Sequence, residues 1–144
     1  MTARRRVIVG VAAALVLLAG ACGSDEPQAA AEKDLTECGL PTPHKDADAG
    51  LIPEPFLLDG QAEVIQVEVE EGRVIAGLGL RLNVDRAFDL YKAAIPEASF
   101  KLLQEDNEHF EAELYIRKGK DLGSLQIRGS TCPDAVIVYL NLPK

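Results

Sequence analysis

The chain has 144 residues, 47% of them hydrophobic and 26% charged, with 23 acidic against 15 basic side chains and a net charge of −8. That length supports one domain with one core rather than two. The acidic balance works against phosphate backbones, so nucleic acid is excluded as an expected partner.

The first element is Arg4-Arg5-Arg6 followed by an apolar run from Val7 to Leu18. Twelve apolar residues fall short of the about 20 that a helix needs to cross a bilayer. A cationic start, a short apolar run and the small trio Ala19-Gly20-Ala21 are the three regions of a secretory signal peptide. The stretch from Leu17 to Cys22 resembles the lipobox of bacterial lipoproteins. That resemblance implies removal of residues 1–21, a thioether-linked diacylglyceryl group on Cys22 with fatty acyl chains such as palmitate, and anchoring on the extracytoplasmic face of the cell membrane. Ala19 stands where the family usually has Leu, with Leu17 and Leu18 just upstream, and Ala19-Gly20-Ala21 also satisfies the A-x-A rule of ordinary secretory cleavage. Arg4-Arg5 loosely fits a twin-arginine signal as well, although the general secretory route suffices. Loss of the leader removes three of the 15 cations and none of the 23 anions, taking the net charge from −8 to −11. Anionic lipid repels such a surface, which leaves the Cys22 lipid as the expected membrane contact.

With Cys22 lipidated, Cys38 and Cys132 remain in an oxidising compartment, where disulfides persist. They are 94 residues apart, and closing a loop of that size stabilises by roughly 4–5 kcal/mol in the chain-entropy model. Residues 22–37 are small and polar, with Leu35 the single large aliphatic, and read as the lipidated cysteine and a flexible tether. Residues 38–60 hold Pro41, Pro43, Pro53 and Pro55, which suit neither a helix nor a central strand. We read an extended strap that lays Leu51, Ile52, Phe56, Leu57 and Leu58 over a domain formed by residues 61–144.

Within that domain, Ile65, Val67 and Val69 alternate with polar residues, and Val74, Ala76, Leu78, Leu80 and Leu82 repeat the pattern after Glu71-Gly72, which predicts a hairpin. A two-residue turn pairs Val69 with Val74, Val67 with Ala76 and Ile65 with Leu78. Asn83 is a helix N-cap, and Val84, Ala87, Phe88, Tyr91 and Ile95 follow helical spacing until Pro96 stops the run. A second hairpin with its loop at Asp106 to Glu108 sets Phe100 against Leu114, Leu102 against Ala112 and Lys101 against Glu113, with Phe110 on the alternating apolar face. Leu125 and Ile127 predict a fifth strand, and Val136, Val138, Leu140 and Leu142 a sixth. The order ββαββββ with short connections implies an α+β fold: a mostly antiparallel sheet of about six strands with one helix on one face.

Candidate sites are sparse. His44 and His109 are the only histidines, and neither has metal-ligand spacing to Asp46, Asp48 or Glu111, so no metal or other cofactor is expected. Asp46-Ala47-Asp48-Ala49-Gly50 opens like a calcium loop, but Leu51 and Leu57 occupy its glycine and bidentate positions. Ser124, Ser130 and Thr131 lack a nucleophile-elbow pattern, and Gly119-Lys120-Asp121 lacks that of a phosphate loop. Gly77 and Gly79 sit opposite the apolar set of their strand, where they either relieve crowding or admit another backbone or a ligand. Glu105, Asp106, Glu108, Glu111 and Glu113 form an acidic stretch, either a solvated face or a dock for a cationic partner. The resulting expectation is a non-catalytic binding or assembly module of the cell envelope, with an envelope protein as a possible partner. Two alternatives stand beside it. A small-molecule or lipid carrier would use a cavity lined by Phe88, Tyr91, Phe100 and Leu114, and an enzyme would use the acidic strand face.

Overall fold

The computed structural model describes residues 34–144; the leader, Cys22 and most of the tether lie outside the described residues. Six strands and one helix follow in the order β1 (Glu63–Glu70), β2 (Arg73–Leu80), α1 (Val84–Glu97), β3 (Lys101–Asn107), β4 (Glu111–Lys118), β5 (Asp121–Gly129) and β6 (Val136–Pro143). All pairings are antiparallel and the sheet runs β1-β2-β6-β5-β4-β3. The chain leaves β2, passes through α1 to the far edge, and returns strand by strand until β6 closes the gap beside β2. Among the described residues no helix is long and apolar enough to cross a membrane.

The first hairpin turns on Glu71 and Gly72, both at positive φ (48° and 76°), the geometry that matches strand twist in a two-residue turn. Val69 opposes Val74 and Val67 opposes Ala76. The expected pairing of Ile65 with Leu78 does not form. A bulge between Val64 and Gln66 gives Leu78 to Val64, and the extra residue turns Ile65 to the opposite face of the sheet. There it is buried with Leu35, Cys38, Leu40 and Ala135.

The helix begins on the Asn83 side chain, which accepts from the Arg86 amide at 2.8 Å. It continues through Pro96 to Glu97, one turn position beyond the expected stop. Pro96 sits in the last turn, and the Ala98 amide behind it still donates to the Ala94 carbonyl at 2.9 Å. The buried face of α1 carries Val84, Ala87, Phe88, Tyr91, Ala94 and Ile95, and covers a sheet face made of the apolar positions of β2, β4, β5 and β6.

The proline-rich segment is not extended. It forms a 3-10 turn at Ala49–Leu51, capped by the Asp48 carboxylate on the Gly50 amide. A kinked 3-10 segment follows at Glu54–Gly60, where the φ of Pro55 suits the first turn and Leu58 and Asp59 take positive φ. Ile52, Phe56 and Leu58 are buried in the main core, while Leu51 stays exposed. Ordered structure also starts upstream of Cys38. Leu35–Cys38 is a 3-10 turn capped by the Asp34 carboxylate on the Thr36 amide at 3.0 Å.

The second hairpin departs most from expectation. Leu102 opposes Ile116, Glu105 opposes Leu114 and Asp106 opposes Glu113, with a bulge between Leu102 and Gln104. Phe100 lies before the strand and Phe110 is 68% exposed in the loop. The reason is local turn chemistry: the Asn107 side chain accepts from the His109 amide at 2.9 Å, His109 takes φ 66°, and the loop becomes Glu108 to Phe110. Asp106 and Glu113 end up side by side, and Glu113 accepts from Tyr115 and Gln126.

Candidate functional site: the outer sheet face

Side chains that alternate away from the helix form the outer face. Strand register places Asp106, Glu113, Gln126, Tyr139 and Gly77 in one cross-strand row, and Gln104, Tyr115, Ser124, Asn141 and Ile75 in the next. This face has two parts.

One part is covered by the chain itself. A disulfide joins Cys38 to Cys132 with Cα atoms 5.2 Å apart, and it holds the 34–40 segment against Ile65, Ala135 and Ile137. The Thr131 amide donates to the Cys38 carbonyl at 3.2 Å, and the His44 amide to the Ile65 carbonyl at 2.8 Å. Gly79 makes the fit possible: a Cβ there would stand 2.9 Å from Leu35 Cδ1 and 3.0 Å from Leu40 Cδ2. The close approach that this glycine admits is therefore made by the chain's own N-terminal segment.

The other part is open. Tyr115 and Tyr139 are 41% and 39% exposed. Between and beside them lies a cleft of about 250 Å³ lined by Ile75, Glu113, Ser124, Gln126 and Asn141 as well as the two tyrosines. A second cleft of about 470 Å³ lies between the covering segment and Tyr139, with Ser130 and Thr131 on its wall. Tyr139 borders both.

The polar groups of the open part hold one another in place. Gln126 Nε2 donates to Glu111 Oε1 at 2.9 Å and to Glu113 Oε1 at 3.0 Å. The Tyr115 hydroxyl donates to Glu113 Oε2 at 2.6 Å, and this bond to a carboxylate, with the carboxylate's charge, raises the phenol's pKa. Arg73 Nε donates to Asn141 Oδ1 at 2.5 Å and Arg73 Nη2 to the Leu122 carbonyl at 2.7 Å. Arg128 Nε donates to Glu111 Oε1 at 3.2 Å. Each amide is thus fixed at one end and keeps its other end for a ligand.

The five carboxylates singled out in the sequence do not share one surface. Glu105 falls on the helix side and pairs with Lys92 at 2.6 Å. Asp106, Glu108, Glu111 and Glu113 do converge, around a cleft of about 220 Å³ at the β3–β4 end. Phe88, Tyr91, Phe100 and Leu114 are all buried on the helix side. Phe56 stands among them, 5.7 Å from the Phe100 ring and 6.3 Å from the Tyr91 ring, and its carbonyl accepts from the Tyr91 hydroxyl at 3.2 Å. Burial pushes the Tyr91 phenol pKa far above its ordinary value. Phe56 thus packs into the cluster that the sequence offered as a ligand cavity.

His44 is exposed, and the described hydrogen bonds of His109 run to Asp85 and Asn107 rather than to a hydroxyl nucleophile. Among the described residues no three His, Cys, Asp or Glu side chains gather in metal-binding geometry. Tyr115, Gln126, Tyr139 and Asn141 carry no motif in the sequence. Their signal is parity alone: each alternates with a buried aliphatic on its strand, and only the insertion of β6 beside β5 brings them together. No protein-family model, curated protein or solved structure matches the chain.

Proposed function

We propose that this protein is a lipid-anchored, extracytoplasmic binding module of the bacterial cell envelope, non-catalytic, with the open part of the outer sheet face as its contact surface. The anchor rests on the leader and on Cys22. The contact surface rests on one observation: two half-exposed tyrosines stand on a sheet face whose polar groups are fixed in place, beside a part of that face that the chain itself covers. Exposed aromatics supply large contact area at low entropic cost, and fixed polar neighbours supply orientation. The acidic cleft at the β3–β4 end borders this surface and favours a neutral or cationic component over an anionic one.

The test is site-specific photo-crosslinking in envelope extracts. A crosslinker at Tyr139 is expected to give a discrete adduct, protein or polymer, that the same group at Glu97 on the exposed side of α1 does not. Identical products from both positions, or none from Tyr139, would remove the support. The anchor is checked separately: mass spectrometry is expected to find a diacylglyceryl-modified Cys22 at the N-terminus, and an unmodified Cys22 would overturn it.

A further inference from the structure

We propose that the two clefts bordered by Tyr139 form one groove that binds a neutral, hydroxyl-rich glycan chain, with the Tyr139 and Tyr115 rings as stacking platforms. This deepens the binding-module reading and rests on it. Tyr115 and Tyr139 lie diagonally across β5, two strands and two residues apart, which separates their backbones by about 12 Å at ordinary strand spacing and rise. A single sugar ring cannot bridge that span, so the occupant is a chain.

Between the rings the floor is polar: Ser124, Gln126 and Asn141, with the Glu113 carboxylate at one side held by Gln126 and the Tyr115 hydroxyl. Gln126 has spent its amide hydrogens on two carboxylates and retains a carbonyl acceptor. Asn141 has spent its carbonyl on Arg73 and retains its amide donors. An acceptor, a donor and a hydroxyl set between two aromatic rings complement a molecule with an apolar C–H face and a rim of hydroxyls. They suit a protein partner less well, because the polar row between the rings interrupts the dry core that an interface requires. Charge narrows the class further. Arg73 is engaged by Asn141 and Arg128 by Glu111. Lys101 and Arg117 stand exposed in the row beyond Tyr115, but the four carboxylates of Asp106, Glu108, Glu111 and Glu113 on the neighbouring rim outnumber them. A polyanionic glycan is repelled and a neutral one is not.

The experiment titrates the mature protein, followed by amide NMR shifts, with the hexamers of β-1,4-linked N-acetylglucosamine, maltose-type glucose and mannose, and with heparin as the polyanion. At least one neutral hexamer is expected to saturate the protein, shifting residues around Ser124, Gln126, Tyr139 and Asn141, while heparin leaves them unmoved. Tyr139→Ala and Tyr115→Ala are expected to weaken binding about tenfold each, the loss typical of a truncated aromatic anchor. Tyr139→Phe keeps the platform and most of the affinity. Melting curves verify that the variants are folded. Failure of all three neutral hexamers to saturate, binding of heparin at this face, or shifts confined to α1 would each overturn the inference. If no hexamer binds but a crosslinker at Tyr139 captures a protein, the glycan falls and the binding module stands; if neither occurs, both fall.

Discussion

The two faces of the sheet are covered by different means. On the helix side, α1 and the 54–60 turn bury Phe56, Leu58, Val84, Phe88, Tyr91 and Ile95 against the sheet without any covalent link. At roughly 1.5–3 kcal/mol for each large side chain, that burial suffices to order the cover. On the outer side the covering segment brings only Leu35 and Leu40 as large aliphatics, worth about 3–6 kcal/mol together. Ordering residues 34–40 costs on the order of 7–14 kcal/mol of backbone entropy. The roughly 4–5 kcal/mol from a disulfide closing so long a loop brings the two sides to within a few kcal/mol. A cover too small to hold itself is stapled, and it stops short of Tyr115 and Tyr139, leaving them to the solvent.

The largest expected effect is on the helix side. Phe56→Ala removes a fully buried ring that touches both Tyr91 and Phe100, and is expected to destabilise by about 3–5 kcal/mol in urea unfolding. A loss below about 1 kcal/mol would mean that the space between helix and sheet can stay open, and would revive the carrier reading. Next in size, replacing Cys38 and Cys132 by Ser together is expected to cost about 4 kcal/mol. Its signature separates the two covers: hydrogen exchange should accelerate at the Thr131 and His44 amides, whose bonds hold the segment down, while α1 keeps its protection. Equal loss in both places would break the distinction.

The helix side was legible because one rule governs it: alternation in Val74 to Leu80 and Val136 to Leu142, and helical spacing in Val84 to Ile95, each point to a single dry interface. The disulfide was legible from cysteine count once Cys22 was set aside. Two bulges defeated the rest. A single extra residue at Ile65 moves a large aliphatic to the other face, and nothing in Val64-Ile65-Gln66 marks it. At the β3–β4 hairpin, an Asn107 side-chain turn outweighed an apparent Lys101–Glu113 ion pair, as expected when an exposed pair is worth less than about 1 kcal/mol. The tyrosine face was invisible for a third reason, since it exists only through the order β2-β6-β5-β4, and alternation says nothing about which strands are neighbours.

Gly77 and Gly79, both buried and two residues apart on β2, differ in what lies over them: Gln66 of β1 at one and the covering segment at the other. Gly79→Ala places a methyl against the ends of Leu35 and Leu40 and is expected to cost about 1–3 kcal/mol by overpacking. Gly77→Ala meets Gln66 Cγ at 3.4 Å, an ordinary contact. It is expected to lie within about 0.5 kcal/mol of the parent protein, or to stabilise it through the less flexible unfolded chain. Equal penalties in urea unfolding would show that crowding within the strand, not the covering segment, sets the need for glycine at position 79.

The smallest effect is the acid response of the two covers. Asp34 is fully exposed, yet its carboxylate accepts from the Thr36 amide and hydroxyl, both at 3.0 Å, and these bonds lower its pKa below 3.8. At the helix start, Asp85 is lowered in the same way, first by the Asn107 amide and then by His109. A depressed carboxyl pKa stabilises the fold above the unfolded value and loses that contribution as pH falls through the folded one. Both covers are therefore expected to loosen only below pH 3.8, and by local steps. Carboxyl-carbon NMR titration should place both midpoints under that value. The Asp34→Asn variant should abolish the acid shift of the Thr36 amide while leaving that of the β3–β4 loop, and Asp85→Asn should do the reverse. A shared midpoint that moves with either substitution would mean that the stapled segment and the helix respond as one unit, and the distinction between the two covers would end there.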